Sequence, residues 1–224
     1  MTWKAGRMVA ARMIERAAAH KNSLGARELG VRRLVSFGGA WSNHLHALAA
    51  VGNQQGFATV GIVRGGPGNG ECAALTDARD WGMTLVHVSR EEYRRRNDTH
   101  YLDQVAQQFA PCLVIPEGGA SAEGARGCME IGEMVRRLAP GARRVVLPVG
   151  TGTTLAGVAA GLGVKCAVVG VSALKAAVDL EGRLEQALAA CKVDAPANWQ
   201  ILHDEHCGGF ARVSAGLREF ILAF

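Results

Sequence analysis

The chain alternates short, mostly apolar runs with longer stretches of mixed polarity. The apolar runs are 34–37, 59–63, 84–88, 113–115, 145–149 and 167–171. A strand that is apolar at every position is buried on both faces, as the strands of a parallel sheet are. Between them lie helix-length segments at 42–55, 71–80, 98–109, 121–138, 153–163 and 176–190. The alternation predicts βαβ units, so the fold class is α/β, with one or two open, doubly wound parallel sheets. Crossovers in such sheets are right-handed, and ligands gather beyond the carboxyl ends of the strands. Residues 7–20 form a further helix candidate, rich in alanine and arginine, whose apolar stripe (Met8, Val9, Met13, Ile14) is incomplete. Gly65-Gly66-Pro67-Gly68-Asn69-Gly70 predicts a loose surface loop after the second strand. The sequence carries no internal repeat and no low-complexity linker.

Three of the strands run into glycine turns and then into helices. The first junction reads Ser36-Phe37-Gly38-Gly39-Ala40-Trp41-Ser42-Asn43-His44. Glycines at 38 and 39 permit backbone angles closed to other residues, and Ser42 or Asn43 caps the helix that follows. The outward amide groups of a first helical turn make an anion site, while an ordinary capped connection is the plainer alternative. The second junction is Pro148-Val149-Gly150-Thr151-Gly152-Thr153-Thr154-Leu155. Its amides and threonine hydroxyls suit several phosphate oxygens at once, or they form a structural turn. It is neither a Walker A loop nor G-x-G-x-x-G, because Leu155 stands where the third glycine belongs. The third is Ile115-Pro116-Glu117-Gly118-Gly119-Ala120-Ser121, in which Glu117 is turn chemistry first and a candidate catalytic carboxylate second. Three such junctions in one chain predict a shared pocket.

Composition narrows the rest. Of the 224 residues, 49% are hydrophobic and 20% charged, the balance of an ordinary globular protein, and no apolar run reaches the roughly 20 residues of a membrane span. The segment before residue 30 lacks the apolar core of a secretory signal, so a cytoplasmic location is expected. The net charge is +5, yet the densest basic run, Arg94-Arg95-Arg96, has acidic neighbours and reads as a solvated helix face. No zinc-finger, RNP or basic-helix pattern accompanies it, so nucleic acid is not an expected partner, and an anionic small molecule suits the charge as well. The six cysteines are scattered without a C-x-x-C pair and read as reduced thiols. His44 and His46, two apart on a helix, face different directions. His203 and His206 lack a third ligand, and no metal site is expected.

Taken together, Ser36-Phe37-Gly38-Gly39-Ala40-Trp41-Ser42-Asn43-His44, Ile115-Pro116-Glu117-Gly118-Gly119, Gly150-Thr151-Gly152-Thr153-Thr154 and Gly170-Val171-Ser172-Ala173-Leu174-Lys175 resemble, in order and spacing, the 1-aminocyclopropane-1-carboxylate deaminase / D-cysteine desulfhydrase family. The resemblance runs from about residue 26 to the end of the chain. It implies two open parallel-sheet α/β domains of the tryptophan-synthase-β type (fold type II), here truncated, and the cofactor pyridoxal phosphate. Residues 1–30 and 118–224 would form an incomplete large cofactor-binding domain, and residues 31–117 a small one. Asn43 would hydrogen-bond the phenolic oxygen of the cofactor. Ser42 would lie over the substrate, near its carboxylate or at the position of proton transfer. Gly150, Thr151, Gly152, Thr153 and Thr154 would cradle the 5′-phosphate. The implied partner is a small amino acid, deaminated or cleaved by β-elimination to ammonia and a 2-oxo acid, and the implied assembly is a homodimer.

The chain also departs from that family. Its members carry Gly-Asn-Lys about twenty residues before the first strand, the lysine bonding the cofactor. Here the count lands near Glu15, and no Gly-Asn-Lys occurs; Lys4 and Lys21 stand upstream without the expected context. Phe210 occupies a position where tyrosine is expected, and both ends are expected to be incomplete. A catalytically defective remnant, binding pyridoxal phosphate or assembling with a partner, is therefore the alternative to an active enzyme. A nucleotide-binding domain, resting on Gly150-Thr151-Gly152 alone, is a third reading.

Overall fold

In the computed structural model, residues 30–66, 72–174, 179–190, 198–206, 208–209 and 212–223 are described. The helix candidate at 7–20, Lys4, Lys21, Lys175, Cys191, Cys207, Phe210 and most of the glycine loop at 65–70 lie outside them. The chain divides into two units, residues 1–127 and 128–224.

In the first unit, β1 (Arg33–Gly38), β2 (Ala58–Arg64), β3 (Met83–Val88) and β4 (Cys112–Ile115) make one parallel sheet in the order β3-β2-β1-β4. Successive side chains of β1 point to opposite faces. Leu34 packs with Leu45, Leu48, Val63 and Leu75, beneath α1 (Asn43–Gln55) and α2 (Ala73–Asp80). Val35 and Phe37 pack on the other face with Ile62, Tyr93, Tyr101 and Val105, beneath α3 (Arg90–Arg94) and α4 (Thr99–Gln108). Burying a Phe37 or Leu45 completely contributes about 1.5–3 kcal/mol each, which is why a two-faced apolar strand makes a firm centre. The chain winds outward from β1 to β3 and then returns to β4 on the far side of β1. That reversal places a crevice at the carboxyl ends of β1 and β4, where both turns of this unit lie.

In the second unit, β5 (Arg144–Val149), β6 (Ala167–Ser172) and β7 (Trp199–Leu202) form a parallel sheet in that order. The part of helix α5 (Ala122–Leu138) from Cys128 onward, with α6 (Thr153–Leu162) and α7 (Leu180–Ala190), supplies its core, with Leu155, Val158, Leu162, Leu180, Leu184 and Leu188 nearly or wholly buried. Helices α5 and α6 meet backbone to backbone. A methyl group at Gly132 would strike the carbonyl of Val158, and one at Gly161 the carbonyl of Met129. A last helix, α8 (Ala215–Ala223), buries none of its side chains.

The α/β class with two open parallel sheets is the architecture found, and each predicted strand is present within two residues of its expected ends. Two expectations change. Strand β5 is not buried on both faces: its residues alternate between half-buried and exposed, and Val146 is 61% exposed. It reads as an apolar run because proline and valine occupy its open face. The short elements α3, β7 and α8 are not among the predicted ones. Strand β7 has only four residues, with Trp199 and Ile201 turned inward, too few for a period to register. Among the described residues, no helix is long and apolar enough to cross a membrane.

Candidate functional site

The first junction is built by its cap. Ser42 takes the N-cap position of α1, its Oγ accepting the Leu45 N–H at 3.2 Å, while its own N–H closes a turn on the Gly39 carbonyl at 3.0 Å. Asn43 opens the helix and is exposed. Neither Gly38 nor Gly39 has a positive φ, so the expected reason for glycine here is corrected. At Gly38 the reason is space: a Cβ would stand 2.5 Å from Ser42 Oγ and 2.8 Å from Leu45.

His44 turns back onto β1. Its Nε2 lies 2.8 Å from Ser36 Oγ, and the Ser36 hydroxyl donates to the Ile115 carbonyl at 2.8 Å. Ser36 is wholly buried. Burial pulls the His44 pKa down to about 4, against the opposing charge of Glu117, so the ring is neutral at physiological pH. His46 points elsewhere, to Asp77 at 2.9 Å and to the edge of Trp81.

The third junction lies beside the first, on the strand paired with β1. Residues Glu117–Gly119 form a 3-10 turn, with Gly118 and Gly119 at φ 63° and 66°. Both carboxylate oxygens of Glu117 are engaged: Oε1 accepts the Tyr93 hydroxyl at 2.6 Å and Oε2 accepts Arg96 Nε at 2.5 Å. It therefore serves as a clamp between this turn and the segment after α3, not as an open catalytic carboxylate. Burial, then the bond to Glu117, pushes the Tyr93 phenol up, so Tyr93 stays a donor. The guanidinium of Arg96 lies 5.1 Å from the Tyr93 ring, that of Arg64 5.7 Å from the same ring, and that of Arg95 5.1 Å from the Tyr101 ring. The reading of Arg94-Arg95-Arg96 as a solvated face is thus corrected for Arg96, which is half-buried and paired with Glu117, while Arg94 and Arg95 are exposed. The spacing of Tyr93 and Arg96, three apart at a helix end, carried that signal.

In the second unit, Gly150, Thr151, Gly152, Thr153 and Thr154 form one loop between β5 and α6. Gly152 is the N-cap of α6 at φ 88°, a conformation that disfavours any other residue, and no side chain caps the helix. Its first-turn amides are left to an outside acceptor. Thr153 is buried and its hydroxyl lies 3.1 Å from that of Thr151, while Gly150 and Thr154 are exposed. Nothing stands within 4 Å of a Cβ placed on Gly150. The structure thus brings Ser42, Asn43 and the Glu117 turn together at the edge of one sheet, and Gly150 to Thr154 at the edge of the other.

His203 bonds Glu181 at 2.5 Å, holding that carboxyl below its usual range, and His206 Nδ1 accepts the Gly208 N–H. No group of three or more potential metal ligands exists among the described residues. Cys72, Cys112, Cys128 and Cys166 are free thiols.

Neither a family model nor a curated protein matches the sequence. Solved structures do match the fold. An ACC deaminase homologue aligns with 88% of this chain and 63% of its own, at a TM-score of 0.74 and 17% identity. A hydrogen sulfide-producing enzyme from Fusobacterium nucleatum aligns with 89% and 69%, at 0.61 and 12%. A serine racemase from Dictyostelium discoideum aligns with 78% and 51%, at 0.54 and 16%. The chain therefore has their fold, the tryptophan-synthase-β kind expected from its motifs, and spans 63% of the length of the first of them.

Proposed function

We propose that this chain is a pyridoxal-phosphate-dependent deaminase or desulfhydrase, acting on a small amino acid of the 1-aminocyclopropane-1-carboxylate or D-cysteine type and releasing ammonia and a 2-oxo acid. The observation that carries the reading is the loop from Gly150 to Thr154. An uncapped helix start, a left-handed glycine and two adjacent threonine hydroxyls fit a phosphate monoester better than they fit a structural turn, which would be capped. The ACC deaminase homologue and the hydrogen sulfide-producing enzyme, similar in fold, support the kind of reaction. When bound, the cofactor supplies a pyridine ring that draws electron density from the carbon bearing the amino group.

The residues of the chain divide the remaining work. Gly150, Thr151, Gly152, Thr153 and Thr154 hold the phosphate, with the α6 dipole favouring its charge. Asn43, exposed on the first turn of α1, offers its amide to the phenolic oxygen. Ser42 uses a lone pair as helix cap, so its hydroxyl proton remains for a substrate carboxylate or for proton transfer. His44 is a neutral support behind them. The reading also carries a division into a cofactor-binding part (1–30 with 118–224) and a small domain (31–117), a cytoplasmic location and a homodimer.

A second reading is favoured by one observation. Lys165, the only lysine among the described residues, precedes β6 at the amino end of its sheet, about 17 Å of strand from the carboxyl end where the loop lies. With no Gly-Asn-Lys in the sequence, the alternative is a remnant that binds pyridoxal phosphate without turning over substrate. Borohydride reduction after incubation with pyridoxal phosphate, followed by peptide mapping, separates the two. One stoichiometrically labelled lysine, with ammonia released from 1-aminocyclopropane-1-carboxylate or D-cysteine, supports the enzyme. Saturable cofactor binding with scattered labelling and no turnover supports the remnant. No saturable binding overturns both.

A further inference from the structure

Two guanidinium groups share one aromatic ring at the carboxyl end of the first sheet. Arg96 and Arg64 lie 5.1 and 5.7 Å from the centre of Tyr93. A single carboxylate, Glu117, answers them, and its two oxygens are already taken by Arg96 Nε and the Tyr93 hydroxyl. Among the described residues, no salt bridge pairs Arg64 with an acidic side chain. Glu117 pairs with Arg96 alone, so the charge of Arg64 is left without a carboxylate among the described residues. Arg64 ends β2, where its side chain is exposed and swings over the neighbouring turn: one terminal nitrogen stands 3.5 Å from where a Cβ on Gly39 would be. Gly39 is the acceptor that closes the turn on Ser42. The unanswered cation thus overlooks the turn that carries Ser42 and Asn43, and the absence of a side chain at 39 keeps that approach open.

We infer that Arg64 holds a carboxylate of the substrate and so sets which amino acids this chain accepts. The inference rests on the reading of the Ser42–Asn43 turn as the substrate side of the site. A planar fork of donors suits a carboxylate bound through two oxygens, and lysine at this position would give one point charge instead. The carboxylate is either the one next to the amino group or a second, side-chain acid. In the second case the substrates are acidic amino acids.

The test is calorimetric titration of the full chain and of Arg64→Ala and Arg64→Lys. The probes are 1-aminocyclopropane-1-carboxylate with one carboxylate, D-aspartate with two, and cyclopropylamine with none, each with and without pyridoxal phosphate. Arg64→Ala is expected to weaken carboxylate binding about tenfold or more, and Arg64→Lys by less, with thermal unfolding unchanged. Equal losses for both acids assign Arg64 to the carboxylate beside the amino group, and a loss confined to D-aspartate assigns it to a side-chain acid. Equal affinity in wild type and Arg64→Ala, no binding of either acid by the wild type, or cyclopropylamine binding as well as the acids, overturns the inference. Pyridoxal phosphate titrated alone reports on the proposed function separately. If it fails to bind while the acids still depend on Arg64, the cofactor reading falls and Arg64 as a carboxylate site stands.

Discussion

His44 Nε2 donates to Ser36 Oγ across 2.8 Å, because the single proton of the serine is directed to the carbonyl of Ile115. This assigns the imidazole proton to Nε2 and leaves Nδ1 an acceptor. One short chain of bonds thereby ties α1, β1 and the end of β4 together beneath the Ser42 turn.

Acid should loosen this unit first through His44. Its folded pKa is about 4, against 6.5 in the unfolded chain. Between those values the unfolded chain binds a proton that the folded one refuses, so stability rises with pH across the interval. The contribution is complete above about pH 6.5 and is lost as pH falls toward 4, with a full size of about 3 kcal/mol. Urea unfolding from pH 4 to 8 is expected to give a shallower slope for His44→Gln than for wild type. Equal slopes would refute the assignment.

Ser36→Ala removes the acceptor for the half-buried His44 and the donor for the buried Ile115. A loss of about 1–3 kcal/mol in unfolding free energy is expected. Ser36→Cys, which keeps a weak donor and acceptor, should recover part of it. Chemical denaturation of the three proteins side by side measures the difference.

Gly152→Ala forces a side chain onto a residue at φ 88°. The strain, about 1–2 kcal/mol, falls on the loop itself. Either the loop relaxes and phosphate affinity drops, or the loop holds and stability drops. Titration with pyridoxal phosphate and thermal unfolding, read together, should show at least one of these losses. Thr154→Ala, at an exposed position, is expected to change stability little and affinity by a few-fold.

Gly161→Ala places a methyl group against the Met129 carbonyl on the facing helix. Alanine is the better helix former by about 1 kcal/mol, so a destabilised variant can only mean that the helices are pushed apart. A loss of about 1–3 kcal/mol is expected from overpacking. Greater stability than wild type would show that the helices do not meet at this glycine.

The sheets are legible in the sequence because their strands are short, mostly apolar runs, and the three junctions because glycine marks each one. Ser42 is readable as a cap from its own residue type. What the sequence hides is pairing over distance. Ser36 and Ile115 are 79 positions apart, and nothing local to either announces their bond. Glu117 reads as turn chemistry, and its place in a 3-10 turn agrees. Its bonds to Tyr93 and Arg96 depend on the strand order that brings β4 beside β1. Gly38 reads as a source of backbone freedom, whereas its importance lies in the room it leaves for Ser42, which only coordinates reveal. In β5 the residue types give the strand but not its exposed face, since valine and proline look alike to a hydropathy pattern whichever way they point.

The glycine contact between α5 and α6 has a consequence for the loop two turns away. Residue 161 lies eight positions, or about 12 Å of helix, beyond Thr153. Backbones in contact cannot slide past each other as interleaved side chains can, so α6 has one allowed height against α5. The loop at its head inherits that height. Warming that loosens the two helices, well short of melting either, should therefore blur the anion cradle first. Ligand affinity becomes the early gauge of a failure that begins deep in the core.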